Sequence, residues 1–102
     1  VIEKFIEIFK GLNVAYGKFV PEGKNELGKV KGEANTIRCQ GGIPEELWEE
    51  HLNGTKSLGI IPIDENNQCR WGCIDIDSYN GFDHLELITK IRKHGLPLIV
   101  CR

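Results

Sequence analysis

The spacing of glycine and proline most constrains the elements this chain can form. Between Asn13 and Gly42 stand Gly17, Gly23, Gly28, Gly32, Gly41 and Gly42, with Pro21 among them. Glycine inside an element costs conformational entropy and proline removes a backbone donor, so periodicity fades there. Ahead of this stretch Ile2, Phe5, Ile6 and Phe9 recur at helical spacing until Gly11 stops them. Beyond it Pro44 opens a second helix. Glu45 and Glu46 suit the positive end of its dipole, Leu47, Trp48, His51 and Leu52 form its apolar side, and Gly54 ends it. Within the glycine-rich stretch only short extended pieces are expected, at 15–20 and 35–39. The remainder reads as the kind of long loop that is functional or mobile.

The second half is more regular. Residues 58–63 read as a strand that Pro62 confines to an edge or ends. Residues 64–68, Asp-Glu-Asn-Asn-Gln, read as a turn, and 69–77 as a second strand completing a hairpin. Asn80 or Asp83 caps a third helix with Leu85, Ile88 and Ile91 facing inward and Leu87 alongside. Asp83 and Glu86 stand near capping-box spacing. Lys90, Arg92, Lys93 and His94 crowd its last turn before Gly95 and Pro97. Residues 98–101 then begin another strand. The expected class is α+β, a small mixed sheet with helices on one face. One domain is expected over 1–102, helical and loop-rich over 1–57 and β-hairpin-α-β over 58–102. The chain starts at Val1 without a methionine and stops inside a strand pattern at Arg102, so it is expected to be a piece of a longer protein with the domain incomplete.

Charged residues at 27% and hydrophobic residues at 40% exclude collagenous, low-complexity and disordered classes. No apolar run approaches the ~20 residues of a membrane span, and no signal-peptide pattern opens the chain, so a cytoplasmic protein without a membrane partner is expected. The net charge of −2 gives no global basic footprint. Its distribution is uneven: residues 1–38 carry seven Lys/Arg against five Asp/Glu, and residues 39–68 one against six. The basic excess lies between Lys18 and Lys31. Lys29 and Lys31, beside Gly28 and Gly32, serve either to grip a template phosphate or simply to keep a loop solvated.

The four cysteines are expected to be reduced thiols. Cys69 and Cys73 on one strand would stand ~13 Å apart, beyond the ~7 Å that a disulfide spans. Their spacing also lacks the second half of a zinc ribbon.

The segment richest in chemistry is Trp71-Gly72-Cys73-Ile74-Asp75-Ile76-Asp77-Ser78-Tyr79. On a strand Ile74 and Ile76 point to a helix-covered core, while Asp75 and Asp77 share the other face ~6.5–7 Å apart. Carboxylates that close repel unless a cation neutralises them. Mg²⁺ or Mn²⁺ takes such oxygen ligands and completes its shell with water and substrate phosphates, the arrangement of phosphoryl and nucleotidyl transfer. The alternative is a pair of solvent-facing residues at a strand end. Trp71 and Tyr79 either stack on a base or sugar or pack against the fold.

This run, preceded by His51-Leu52-Asn53-Gly54 and Leu58-Gly59-Ile60-Ile61-Pro62-Ile63 and followed by Leu96-Pro97-Leu98-Ile99-Val100, resembles the N-terminal half of an archaeo-eukaryotic-type primase-polymerase domain. The branch is that of TOTE conflict systems and CRISPR-associated primase-polymerases. The likeness spans about residues 12–102 and is specific from 51 onward. It implies the start of an RRM-like catalytic core and template-directed nucleotide addition at a 3′ end. It also implies Mg²⁺ or Mn²⁺ on Asp75 and Asp77, which match the family's first acidic motif. The implied partners are a nucleic-acid template, nucleoside triphosphates, and fused or associated helicase, nuclease or CRISPR components. The family's later Ser-x-His motif and third carboxylate do not occur in residues 1–102, and His84 and His94, on a helix, do not match them.

Three other readings compete. A haloacid-dehalogenase-like phosphatase also carries Asp-x-Asp after a hydrophobic strand, but it expects Thr or Val where Tyr79 stands. A Mn²⁺-dependent glycosyltransferase needs a nucleotide-binding unit upstream that the glycine-rich stretch does not supply. A non-catalytic α+β nucleic-acid-binding module would make the Asp pair incidental, though no aromatic ribonucleoprotein signature appears.

Overall fold

The computed structural model describes residues 1–76 and 80–101. Among the described residues it is a small α+β domain with three short helices and a two-stranded open sheet, in the order α1 (Ile2–Phe9), β1 (Ala15–Lys24), β2 (Val30–Arg38), α2 (Glu45–Leu52) and α3 (His84–Lys93). The helices form where apolar spacing and stop signals place them. Gly54 and Gly95 take left-handed conformations just past α2 and α3, with φ of 75° and 60°, as helix-terminating glycines do.

The glycine-rich stretch is not a loop. Ala15 pairs with Arg38 and the antiparallel ladder runs to Lys24 opposite Val30, with a β-bulge between Pro21 and Gly23. The sequence hides this hairpin because residues 18–36 are exposed on both faces, apart from the half-buried Asn25. Strands exposed on both sides show no alternation of apolar and polar residues. The turn is closed by Asn25, whose Oδ1 accepts from the backbone N–H of Leu27 (3.1 Å) and Lys29 (2.8 Å). Gly28 supplies the left-handed residue at φ 74°.

Residues 57–61 run along the other edge of β1. Gly17 and Gly59 exchange two backbone hydrogen bonds of 2.7 Å. One step further, the Ser57 hydroxyl replaces a backbone partner, accepting from the N–H of Phe19 and donating to its carbonyl, both at 2.8 Å. Leu12 donates to the Ile61 carbonyl at 2.8 Å. The strand expected at 58–63 is therefore present only as isolated bridges, Gly17–Gly59 and Ile63–Cys69. Pro62 has no donor with which to extend the ladder.

The core is small: Trp48 is 3% exposed, Ala15 7% and Leu58 9%. Aromatic rings extend it in a chain. Trp48 meets Phe5 edge-on at 6.1 Å, Phe5 meets Phe9 at 4.7 Å, and Phe9 meets Trp71 edge-on at 5.8 Å. These contacts join α1, α2 and the segment after Cys69.

Three further expectations change. Residues 98–101 form no strand, and the sheet among the described residues is antiparallel rather than mixed. The α3 face expected to point inward has Leu85 75% exposed, with Leu87, Ile88 and Ile91 half-buried. Among the described residues α3 packs on none of the other regular elements. Local terms specify it instead: the Asp83 carboxylate accepts from the N–H of Leu85 (2.9 Å) and Glu86 (3.1 Å), and Glu86 pairs with Lys90 at 2.7 Å.

Candidate functional site

The approach to the acidic motif is built by two anchors. The first is the turn at 64–68, where Asp64 Oδ1 accepts from the N–H of Asn66 (2.8 Å) and Gln68 (3.0 Å). Asn67 adopts φ 58° there, a conformation asparagine tolerates better than most residues. This is the turn expected from the sequence. The second anchor is Trp71, whose indole N–H donates to the Phe9 carbonyl at 2.8 Å. That carbonyl belongs to the last turn of α1, where backbone acceptors lack helical partners. Trp71 thus packs against the fold, as one of its two sequence readings has it.

From Gly72 to Ile76 the chain is exposed. Asp75 is exposed, and among the described residues its carboxylate has no hydrogen-bond or ion-pair partner. Asp77 lies outside the described residues, as does Tyr79. The strand expected over 69–77 is reduced to the Ile63–Cys69 bridge. Ile74 is 73% and Ile76 47% exposed, so among the described residues the helix-covered core expected beneath them does not form. A strand forms by pairing, and residues 70–76 have no paired edge among the described residues. The alternation in the sequence marks which side chains a pairing would separate. It does not supply the partner strand.

Among the described residues no three His, Cys, Asp or Glu side chains gather into a metal-binding group. The four cysteines are free thiols. Cys39 is half-buried with its Sγ donating to the Asn13 carbonyl at 3.3 Å, while Cys69, Cys73 and Cys101 are exposed. Asp75 offers exposed carboxylate oxygens, the donor type that hard divalent ions take.

Lys29 and Lys31 stand at the tip of the β1–β2 hairpin, Lys29 in the turn and Lys31 opposite Gly23. No hydrogen bond or ion pair joins them to Asp75 among the described residues. The sequence reading missed that the same tip carries Lys24 and an almost wholly exposed Leu27 (92%). The signal was present in Asn25 and Gly28, turn residues flanked by the extended-favouring Phe19-Val20 and Val30.

No family model, no curated protein and no solved structure matches this chain. Among the described residues no helix is long and apolar enough to cross a membrane.

Proposed function

We propose that residues 1–102 are the first half of an archaeo-eukaryotic-type primase-polymerase catalytic domain, and that the complete domain adds nucleotides to a 3′ end under template direction. The observation that carries this reading is the run Ile74-Asp75-Ile76-Asp77, set between the anchored Trp71 and the capped helix α3, with Asp75 open to solvent. In this reading 58–63, 69–77 and 98–101 become strands of an RRM-like sheet. Pairing would then bury apolar surface that stands open here, including Ile74 at 73% and Ile99 at 88% exposure.

Asp75 and Asp77 are the residues that would hold Mg²⁺ or Mn²⁺. Such ions supply charge neutralisation at a triphosphate and a more acidic attacking hydroxyl. The chain's own contribution is to present the exposed Asp75 a few residues beyond the anchored Trp71. Trp71 fixes the entry to the segment, and the Asp83 cap fixes its exit into α3.

The test is a Mn²⁺ titration of the 102-residue chain followed by amide NMR. Signals from residues 74–79 broaden first, weakly, because water must fill the positions that substrate phosphates take. Asp75→Asn removes that selectivity. Broadening spread evenly over Glu45, Glu46, Glu49 and Glu50 would count against the reading.

A further inference from the structure

We propose that the β1–β2 hairpin is an arm that docks on duplex nucleic acid, with its lysines on phosphates and Leu27 wedged against the bases at a primer–template junction. The choice of a primer–template as the duplex rests on the functional reading above.

A two-stranded hairpin is marginal unless something else holds it, and this one is fixed at both ends. Ser57 and Gly59 bind its base. At its tip Asn25 makes two side-chain hydrogen bonds, and its N–H donates to the Lys29 carbonyl at 2.9 Å. The tip is closed and presents Leu27 outward at 92% exposure. A leucine so placed does nothing for the fold. Around it stand Lys24, Lys29 and Lys31, against Glu26 alone among residues 24–31. The register pairs Lys24 with Val30 and Lys31 with Gly23, so the two lysines project from opposite faces of the ribbon.

Charge complementarity selects the partner. A tip-to-tip contact with a second copy would bring one basic tip against another. A membrane would gain little, since one leucine buries too little apolar surface to anchor a protein. A nucleic-acid duplex satisfies both features. Its grooves admit a two-stranded ribbon flanked by phosphates, and apolar side chains inserted at base steps unstack them.

The experiment uses the 102-residue chain and a primer–template DNA carrying 2-aminopurine beside the junction, at several salt concentrations. The unsubstituted chain binds and raises the fluorescence as the base unstacks. Leu27→Ala keeps the affinity within about threefold but loses the rise, since phosphate contacts dominate affinity. Lys29→Glu with Lys31→Glu weakens binding on the order of tenfold and lowers the salt slope by about 2. Both sites are exposed, and amide spectra verify that each variant keeps the fold. An undiminished fluorescence rise in Leu27→Ala, or an unchanged affinity and slope in the lysine variant, overturns the proposal. So does binding to phosphatidylcholine–phosphatidylglycerol vesicles, or self-association lost in Leu27→Ala, without DNA binding. Asp75→Asn, read by nucleotide addition alone, separates the two readings. If it abolishes nucleotide addition by the complete domain while the hairpin variants bind normally, the arm alone fails. If the hairpin variants behave as stated while Asp75→Asn retains full nucleotide addition, the catalytic reading alone fails.

Discussion

Replacing Trp71 separates packing from ligand stacking at the entrance to the acidic motif. Trp71 makes two contacts with α1: an indole hydrogen bond to the Phe9 carbonyl at 2.8 Å and an edge-on approach to the Phe9 ring at 5.8 Å. Trp71→Phe removes the first and can keep the second, so it should cost about 1 kcal/mol, the net worth of one hydrogen bond. Trp71→Ala removes both, together with apolar burial. A fully buried Trp→Ala change costs about 3–5 kcal/mol, and this side chain is half-buried, so about 2–3 kcal/mol is expected. At roughly 4–8 °C per kcal/mol for a domain of this size, Trp71→Phe should lower the Tm by about 4–8 °C and Trp71→Ala by roughly twice that or more. Urea unfolding followed by fluorescence of Trp48, which is 3% exposed, reports the core in both variants. If Trp71→Ala unfolds like the unsubstituted chain while its nucleic-acid or nucleotide binding falls, the packing assignment is refuted and Trp71 is a stacking platform.

Three further outcomes follow from the geometry. A Cβ at Gly11 would lie 2.1 Å from the Ile61 carbonyl oxygen, with the Ile61 carbon at 3.0 Å also in the way. Gly11→Ala should therefore cost about 2–3 kcal/mol through overpacking against backbone, whereas Gly17→Ala, at 3.5 Å from Gly59, should cost about 1 kcal/mol or less from the same source; denaturant midpoints compare the two. Asp83→Ala removes the α3 cap and should cost about 1 kcal/mol, read as faster amide exchange in residues 84–87 with little change around Trp48. Lys90 titrates above its ordinary value of 10.5, chiefly through its hydrogen bond to Glu86 and then through that carboxylate's charge. A raised lysine value stabilises the fold fully below the unfolded value and loses that contribution as pH rises through the folded one. Helix content of α3 should therefore decline in strongly alkaline solution, and Glu86→Gln should blunt the decline.

The helices were legible because their signals are local. The Ile2-Phe5-Ile6-Phe9 stripe, the Asp83 cap and the Gly54 and Gly95 stops each act within a turn or two. The β-structure was not, since strand pairing joins residues distant in sequence. Nothing in Lys18 to Thr36 announces a buried face, because none exists, and only Asn25 and Gly28 betrayed the turn. At 69–77 the opposite held: the alternation was plain, yet without a paired edge the described part of the segment, as far as Ile76, forms no strand. Of the candidate site, Asp75 is exposed, which suits a metal ligand and a solvent-facing residue alike. Asp77 lies outside the described residues, and Trp71 turned out to be an anchor of the motif.

The most direct measurement of the central claim is primer extension or de novo synthesis with Mn²⁺ by the complete domain, comparing the unsubstituted protein with Asp75→Asn and Asp77→Asn, each accompanied by a melting curve. Each substitution keeps side-chain size and removes the charge that holds a divalent ion. Metal contributions of several kcal/mol predict losses on the order of 10³-fold or more. Asp75 has no partner to lose among the described residues, so the Tm of Asp75→Asn without metal should be unchanged or slightly raised by relief of carboxylate repulsion. Near-normal synthesis by both variants, or a fall in synthesis that merely tracks a fall in Tm, would contradict the assignment of Asp75 and Asp77 as metal ligands of a nucleotidyltransferase.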